Sequence, residues 1–124
     1  MTKTKTIMIV DDSASLRQVA SIVLKGAGYE LIEACDGSDA LARLNDHKVH
    51  LIISDVNMPV MDGIAFMKAV KSLPNHKFTP IVMLTTTSQE DKRQEAREAG
   101  VKAWMVKPFD KDKLLEVVSR FALP

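Results

Sequence analysis

Five short, mainly apolar runs, each halted by polar residues and followed by a stretch of helical period, limit what this chain can fold into. The runs are Ile7–Val10, Tyr29–Ala34, Leu51–Asp55, Ile81–Leu84 and Ala103–Val106. They are too short for helices and read as parallel strands, Ile7–Val10 and Leu51–Asp55 as buried ones. Pro59 cannot supply a ladder N–H and pushes Met58 out of helical geometry, so the third run is a strand followed by a loop.

The intervening stretches carry apolar residues at helical spacing. Leu16, Val19, Ala20, Val23 and Leu24 form the first stripe, capped by Ser13 or Asp12 and stopped by Gly26 and Gly28. Ala40, Leu41 and Leu44 form the second, and Ile64, Met67 and Val70 the third, opened by Asp62-Gly63. Ser88–Ala99 is helical by composition but polar nearly all round, with Ala96 and Ala99 its main apolar residues and Gly100 its end. Asp110 caps a last helix with Leu114, Val117, Val118 and Phe121 on one face. Strict alternation of this kind gives an α/β fold, a doubly wound five-stranded parallel sheet with five helices and right-handed crossovers. The expected strand order is 2-1-3-4-5.

The chain's 124 residues, 46% hydrophobic and 27% charged, suit one globular domain spanning 1–124. A net charge of +1 leaves no electrostatic footprint for nucleic acid. Ile7–Val10 is far too short for a signal peptide, and no segment has the length to cross a bilayer, so a soluble, cytoplasmic protein is expected. Cys35 is the sole cysteine; at the end of an apolar run it reads as a small buried thiol in a reducing compartment. His47, His50 and His76 lie in connecting segments and read as surface residues.

All strand carboxyl ends of a parallel sheet share one edge, where open α/β sheets handle ligands. Asp11 and Asp12 follow the first run, Asp55 ends the third, Thr85 follows the fourth and Lys107 the fifth. A lone aspartate in such a place commonly caps a helix or opens a turn. Helix capping does not explain three acids, a hydroxyl and a lysine gathered together. Carboxylates without cysteine or paired histidine suit a hard cation with oxygen ligands, and Mg²⁺ is the natural candidate. An aspartate beside such an ion, with a lysine and a hydroxyl opposite, can accept a phosphoryl group. The chain has neither a Gly-x-x-x-x-Gly-Lys-Ser/Thr loop nor a Gly-x-Gly-x-x-Gly turn, so the phosphoryl group must come from another molecule.

Val10-Asp11-Asp12-Ser13, Asp55-Val56-Asn57-Met58-Pro59-Val60-Met61-Asp62-Gly63, Thr85 and Lys107-Pro108-Phe109, in this order, resemble the receiver domain of two-component response regulators. The likeness spans essentially the whole chain, is closest to the chemotaxis-type single-domain regulators, and implies a flavodoxin-like fold. It makes Asp55 the phosphoacceptor and places Asp11, Asp12, Asp55 and the Asn57 carbonyl around Mg²⁺. Thr85 and Lys107 would contact the phosphoryl group, and the Lys107-Pro108 bond would be cis, at modest cost for an X–Pro bond. Thr85 would also act as a switch residue with Trp104, which stands where the family usually has Tyr or Phe; Thr87 occupies a position that tunes phosphoryl lifetime. The resemblance implies a monomeric signalling switch with slow intrinsic dephosphorylation, not an enzyme. Its implied partners are a sensor histidine kinase and a downstream target, with the flagellar motor switch and a phosphatase as candidates. Nucleic acid and membrane insertion are not expected.

Three other readings fit parts of the pattern. A haloacid-dehalogenase-type phosphatase also phosphorylates an aspartate, but resembles its relatives in an Asp-x-Asp where this chain has Asp11-Asp12-Ser13. A flavin module would want a hydroxyl- and glycine-rich loop where two acids stand. A receiver-like scaffold that is never phosphorylated would not need the full set of acids, hydroxyl and lysine.

Overall fold

The computed structural model describes residues 4–45, 47–56, 58, 61–85, 90–107 and 109–122, with the backbone alone at 90–93. The elements β1 (Thr6–Val10), α1 (Ala14–Gly26), β2 (Glu30–Ala34), α2 (Gly37–Leu44), β3 (Leu51–Asp55), α3 (Gly63–Lys71), β4 (Ile81–Thr85), α4 (Glu90–Glu98), β5 (Ala103–Val106) and α5 (Lys111–Phe121) alternate as the runs predict. The sheet order is β2-β1-β3-β4-β5, and every pairing is parallel. This is the doubly wound, flavodoxin-like arrangement expected from the sequence.

The period-2 alternation of the strands sorts their side chains into two cores. Met8, Val10, Ile52 and Met83 pack with Leu44, Ile64, Phe66, Met67 and Val70 on the face that α2, α3 and α4 cover. Ile7, Ile9, Leu51, Ile53, Val82 and Leu84 pack with Ala20, Leu24, Leu114, Val117 and Val118 under α1 and α5. Because β1, β3 and β4 are buried on both faces, their sequences show no polar alternation.

Side chains set where the helices begin. Ser13, Asp36, Asp62 and Asp110 are extended residues whose oxygens accept the N–H groups of Leu16, Asp39, Ala65 and Lys113. Gly100 ends α4 with φ 100°, a left-handed conformation that glycine adopts without steric cost.

Four sequence expectations fail, each for a physical reason. Val19, assigned to the inward stripe of α1, is 53% exposed. The buried face of that helix centres on Ala20, Ser21 and Leu24, which turns Val19 and Ile22 toward solvent. Cys35 is exposed rather than buried, because it lies just beyond the end of the edge strand β2. Local desolvation, Asp36 and Asp39 push its thiol above the ordinary value, which disfavours the nucleophilic thiolate.

Two histidines also depart from the surface reading. His76 is buried and donates from Nε2 to the Leu44 carbonyl at 2.9 Å, satisfying an acceptor at the end of α2. His50 is half-buried, and its Nδ1 accepts the Thr6 N–H at 3.0 Å. Only His47 of the three is exposed.

Burial, with Lys48 and Lys5 nearby, lowers the His50 pKa below its ordinary 6.5. The unfolded chain therefore takes up this proton first as pH falls. The stability His50 contributes is present above pH 6.5 and lost as pH drops through its folded value. Urea midpoints of His50→Asn, which keeps an acceptor for Thr6 but cannot titrate, should fall less steeply between about pH 7 and 5 than those of the unsubstituted chain. Equal slopes would show that the imidazole does not couple folding to protons.

Candidate functional site

The sheet order makes β1 and β3 neighbours and brings their carboxyl ends to the point where the winding reverses. Asp11, Asp12 and Asp55 meet there, with one carboxylate oxygen from each lying within 4.8 Å of the others. Asp11 is fully buried, Asp55 is 5% exposed and Asp12 faces solvent. Like charges this close repel, and the structure supplies a counter-charge from two strands away. Lys107, just past β5, places Nζ 2.8 Å from Asp11 Oδ2 and 3.2 Å from Asp55 Oδ2.

Burial works against the Lys107 cation, but the bonded Asp11 and then Asp55 outweigh it and hold its pKa above 10.5. The contribution of this pairing to stability is present below pH 10.5 and lost as pH rises through the folded value. Lys107 is therefore cationic throughout the physiological range.

Backbone contacts fix these side chains. The Asp11 N–H donates to the Ala34 carbonyl at 3.1 Å, and its Oδ1 accepts the Ser13 N–H at 2.8 Å. The Lys107 N–H donates to the Thr85 carbonyl at 2.6 Å, joining the ends of β4 and β5. Thr85 is buried at the last position of β4, paired with Val106. Strand alternation puts Thr85 on the same face as Met83 and Trp104, the face that α4 covers. Trp104 is half-buried and packs against that core. Asn57, Thr87 and Pro108, along with the expected cis bond, lie outside the described residues, as do Pro59, Val60 and Ser88.

Sequence reasoning missed two supports of this site. Arg17 donates from Nη1 to the Asp11 carbonyl and pairs with Glu33 at 3.3 Å, so the first turn of α1 clasps the ends of β1 and β2. Its place six residues after Asp11, on the first turn of an expected helix, was the available signal. The sequence marks Gly63 only as a helix opener. In fact its N–H donates to the Val56 carbonyl at 2.9 Å, and a Cβ there would sit 2.2 Å from the Asp55 carbonyl oxygen. Only glycine lets the returning loop lie this close behind Asp55.

The donor set fits a hard divalent cation. It is all oxygen, carries no thiolate or imidazole, and keeps one exposed carboxylate through which an ion can enter. Three carboxylates against one ammonium leave two formal negative charges, the charge a divalent ion neutralises.

A family model for the response regulator receiver domain matches residues 7–119. The chain belongs to the response regulator receiver family. Among its relatives, CheY of Pseudomonas aeruginosa is 35% identical over 115 residues, which cover 92% of this chain and 93% of that one. The transcriptional regulatory protein PdtaR of Mycobacterium tuberculosis is 38% identical over 122 residues. That match covers 94% of this chain but 58% of PdtaR, so the domain also occurs within longer proteins. The solved structure of the Vibrio cholerae chemotaxis protein CheY4 superposes with a TM-score of 0.91 at 46% identity, covering 96% of this chain and 99% of that one.

The chain is thus a CheY-like receiver domain of a two-component response regulator. Receiver domains are signalling switches rather than conventional enzymes, which displaces the hydrolase and flavin-module readings. Members of the family bind Mg²⁺ at an acidic pocket, and the cluster of Asp11, Asp12 and Asp55 is compatible with one. No helix among the described residues is long and apolar enough to cross a membrane.

If Lys107 is the built-in counter-ion of the acid cluster, Lys107→Met should cost about 2–4 kcal/mol in metal-free buffer by stranding buried carboxylates. Millimolar MgCl₂ should then raise the melting temperature of this variant more than that of the unsubstituted receiver domain. Melting curves that ignore MgCl₂ in both proteins would contradict a cation site at these acids.

Proposed function

We propose that this receiver domain takes a phosphoryl group from the phosphohistidine of a sensor kinase onto Asp55. The observation that carries the reading is the meeting of Asp55 with Asp11, Asp12 and Lys107 at the switch point. An Asp55 carboxylate oxygen attacks phosphorus, the phosphorus–nitrogen bond breaks, and its electron pair returns to the leaving imidazole, giving an acyl phosphate. Lys107 and Thr85 pair with the phosphoryl oxygens. Asp11, Asp12, Asp55 and the Asn57 carbonyl would hold Mg²⁺, which when bound neutralises charge on the transferring group.

The phosphohistidine domain of the donor would dock beside α1. Val19 and Ile22 are 53% and 66% exposed there, and Val19 shares a shallow cleft with Ser13, Leu16 and Phe109 at the lip of the acid pocket. Such an apolar patch next to the reacting carboxylate suits a transient protein contact.

The output surface is the face formed by α4, β5 and α5. Thr85 moving toward a phosphoryl oxygen would vacate space on the side of the sheet where Trp104 lies, and α4 has few apolar anchors to resist a shift. In this reading the chain acts in the cytoplasm as a monomer, with residues 1–124 as its receiver domain. It signals in chemotaxis or motility control, with the flagellar motor switch as target. The acyl phosphate is lost slowly by itself and faster with a phosphatase.

Acetyl phosphate with Mg²⁺ should give one base-labile phosphoryl group per chain, and none in Asp55→Asn. Emission from Trp104, the sole tryptophan, should change as that group forms. Val19→Asp combined with Ile22→Asp should slow transfer from the kinase at least about tenfold while sparing acetyl phosphate labelling. Undiminished labelling of Asp55→Asn would sink the reading.

A further inference from the structure

At the edge of the sheet opposite Asp55, the segments that lead into β3, β4 and β5 and the last turn of α5 enclose a cleft of about 610 Å³. Phe78 and Phe121 are its aromatic residues, beside Val49, Pro74 and Pro80, and Lys48, Lys77, Lys102 and Arg120 rim it. Phe78 is 87% exposed, with the Lys77 ammonium 5.7 Å from its ring centroid. Arg120 pairs loosely with Glu116 at 3.4 Å, whereas the three lysines are exposed and have no carboxylate partner among the described residues. His50 also lines the cleft, but its depressed pKa keeps it neutral at pH 7.

Helix C-termini collect at this edge, and their partial negative charge accounts for some of the lysines. It does not account for a phenylalanine left almost wholly in water among them. The chain as a whole carries only +1, so the positive charge here is local, while Asp11, Asp12 and Asp55 stand at the other edge.

The chemistry of the rim distinguishes between anionic ligands. A phosphate-bearing small molecule is usually held by a helix N-terminus or a glycine-rich loop that aims several N–H groups at one point. Among the described residues, the only helix contributing here is α5, through its C-terminal turn, and the cations come from four separate segments. Separated, flexible lysines around an aromatic floor match carboxylates spread along an extended chain with an apolar side chain between them.

We propose that this cleft docks an acidic segment of a partner protein, with one apolar side chain seated against Phe78 and Phe121 and flanking carboxylates on the rim. The cleft and Asp55 lie at opposite edges of the sheet. The contact is therefore a tether that does not depend on phosphorylation; it leaves the phosphoacceptor edge free and meets the α4–β5–α5 face only at the last turn of α5.

The test uses the full chain and a fluorescein-labelled peptide of alternating Asp and Glu around one central Phe. Anisotropy should saturate with the same Kd in the absence and presence of beryllofluoride and Mg²⁺. Amide shifts should group at residues 48–50, 74–80, 102 and 120–121. Phe78→Ala removes a solvent-exposed ring and should leave the melting temperature unchanged while raising Kd about tenfold. Lys77→Glu combined with Lys102→Glu should abolish binding. A peptide with Gly in place of its Phe should bind at least about tenfold more weakly. The proposal is overturned if the peptide does not saturate, if the Gly peptide binds equally well, or if Phe78→Ala has no effect. It is also overturned if ADP or a short oligonucleotide displaces the peptide at lower concentration than unlabelled peptide does.

Discussion

Three carboxylates within 4.8 Å of one another, countered by a single ammonium, set the terms for the rest of this structure. Asp11 is buried with no exposed surface, so its charge cannot rely on water. Lys107 reaches it only if β5 lies two strands beyond β3 and all five strands run parallel. The ion pair is thus a tertiary contact that joins the first strand to the last. Its free-energy cost falls on the metal-free state, which is where a cation or a phosphoryl group can act.

The scaffold meets this demand through the direction of its elements. A parallel sheet with right-handed crossovers places every helix N-terminus at the carboxyl edge, so the caps Ser13, Asp36, Asp62 and Asp110 gather near the acid cluster. Ser13 takes part in both: its hydroxyl caps α1 and its N–H holds Asp11 Oδ1. Behind the site, Gly63 lets the loop after β3 fold back against the Asp55 carbonyl. Lysines accumulate at the opposite edge, where the helices end. The molecule is close to neutral overall yet has an acidic edge and a basic one.

Much of this was legible in the sequence, and the reasons for the failures are specific. Strand positions could be read because Ile7–Val10, Leu51–Ile53 and Ile81–Leu84 are apolar without alternation, which requires cover on both faces, and their order from the winding common to doubly wound five-stranded sheets. The meeting of Asp11, Asp12, Asp55 and Lys107 followed from strand order alone. The rotation of α1 did not, because the residues at 16, 19, 20, 23 and 24 permit more than one buried face and the sheet selects the one that exposes Val19. The fate of Cys35 depended on β2 being an edge strand. The burial of His76 depended on a loop folding onto the end of α2. Gly63 and Arg17 matter through contacts with backbone oxygens, which composition and periodicity do not encode.

The measurement that bears most directly on the acid cluster is the position of the phosphoryl group. Labelling with acetyl phosphate and Mg²⁺, reduction with borohydride and peptide mass spectrometry convert a phosphorylated aspartate to homoserine and locate it. If Asp55 is the acceptor and Asp11 and Asp12 serve the cation, homoserine appears at position 55 and nowhere else. Homoserine at position 11 or 12, or phosphate recovered on His47 or His76, would contradict that division of roles.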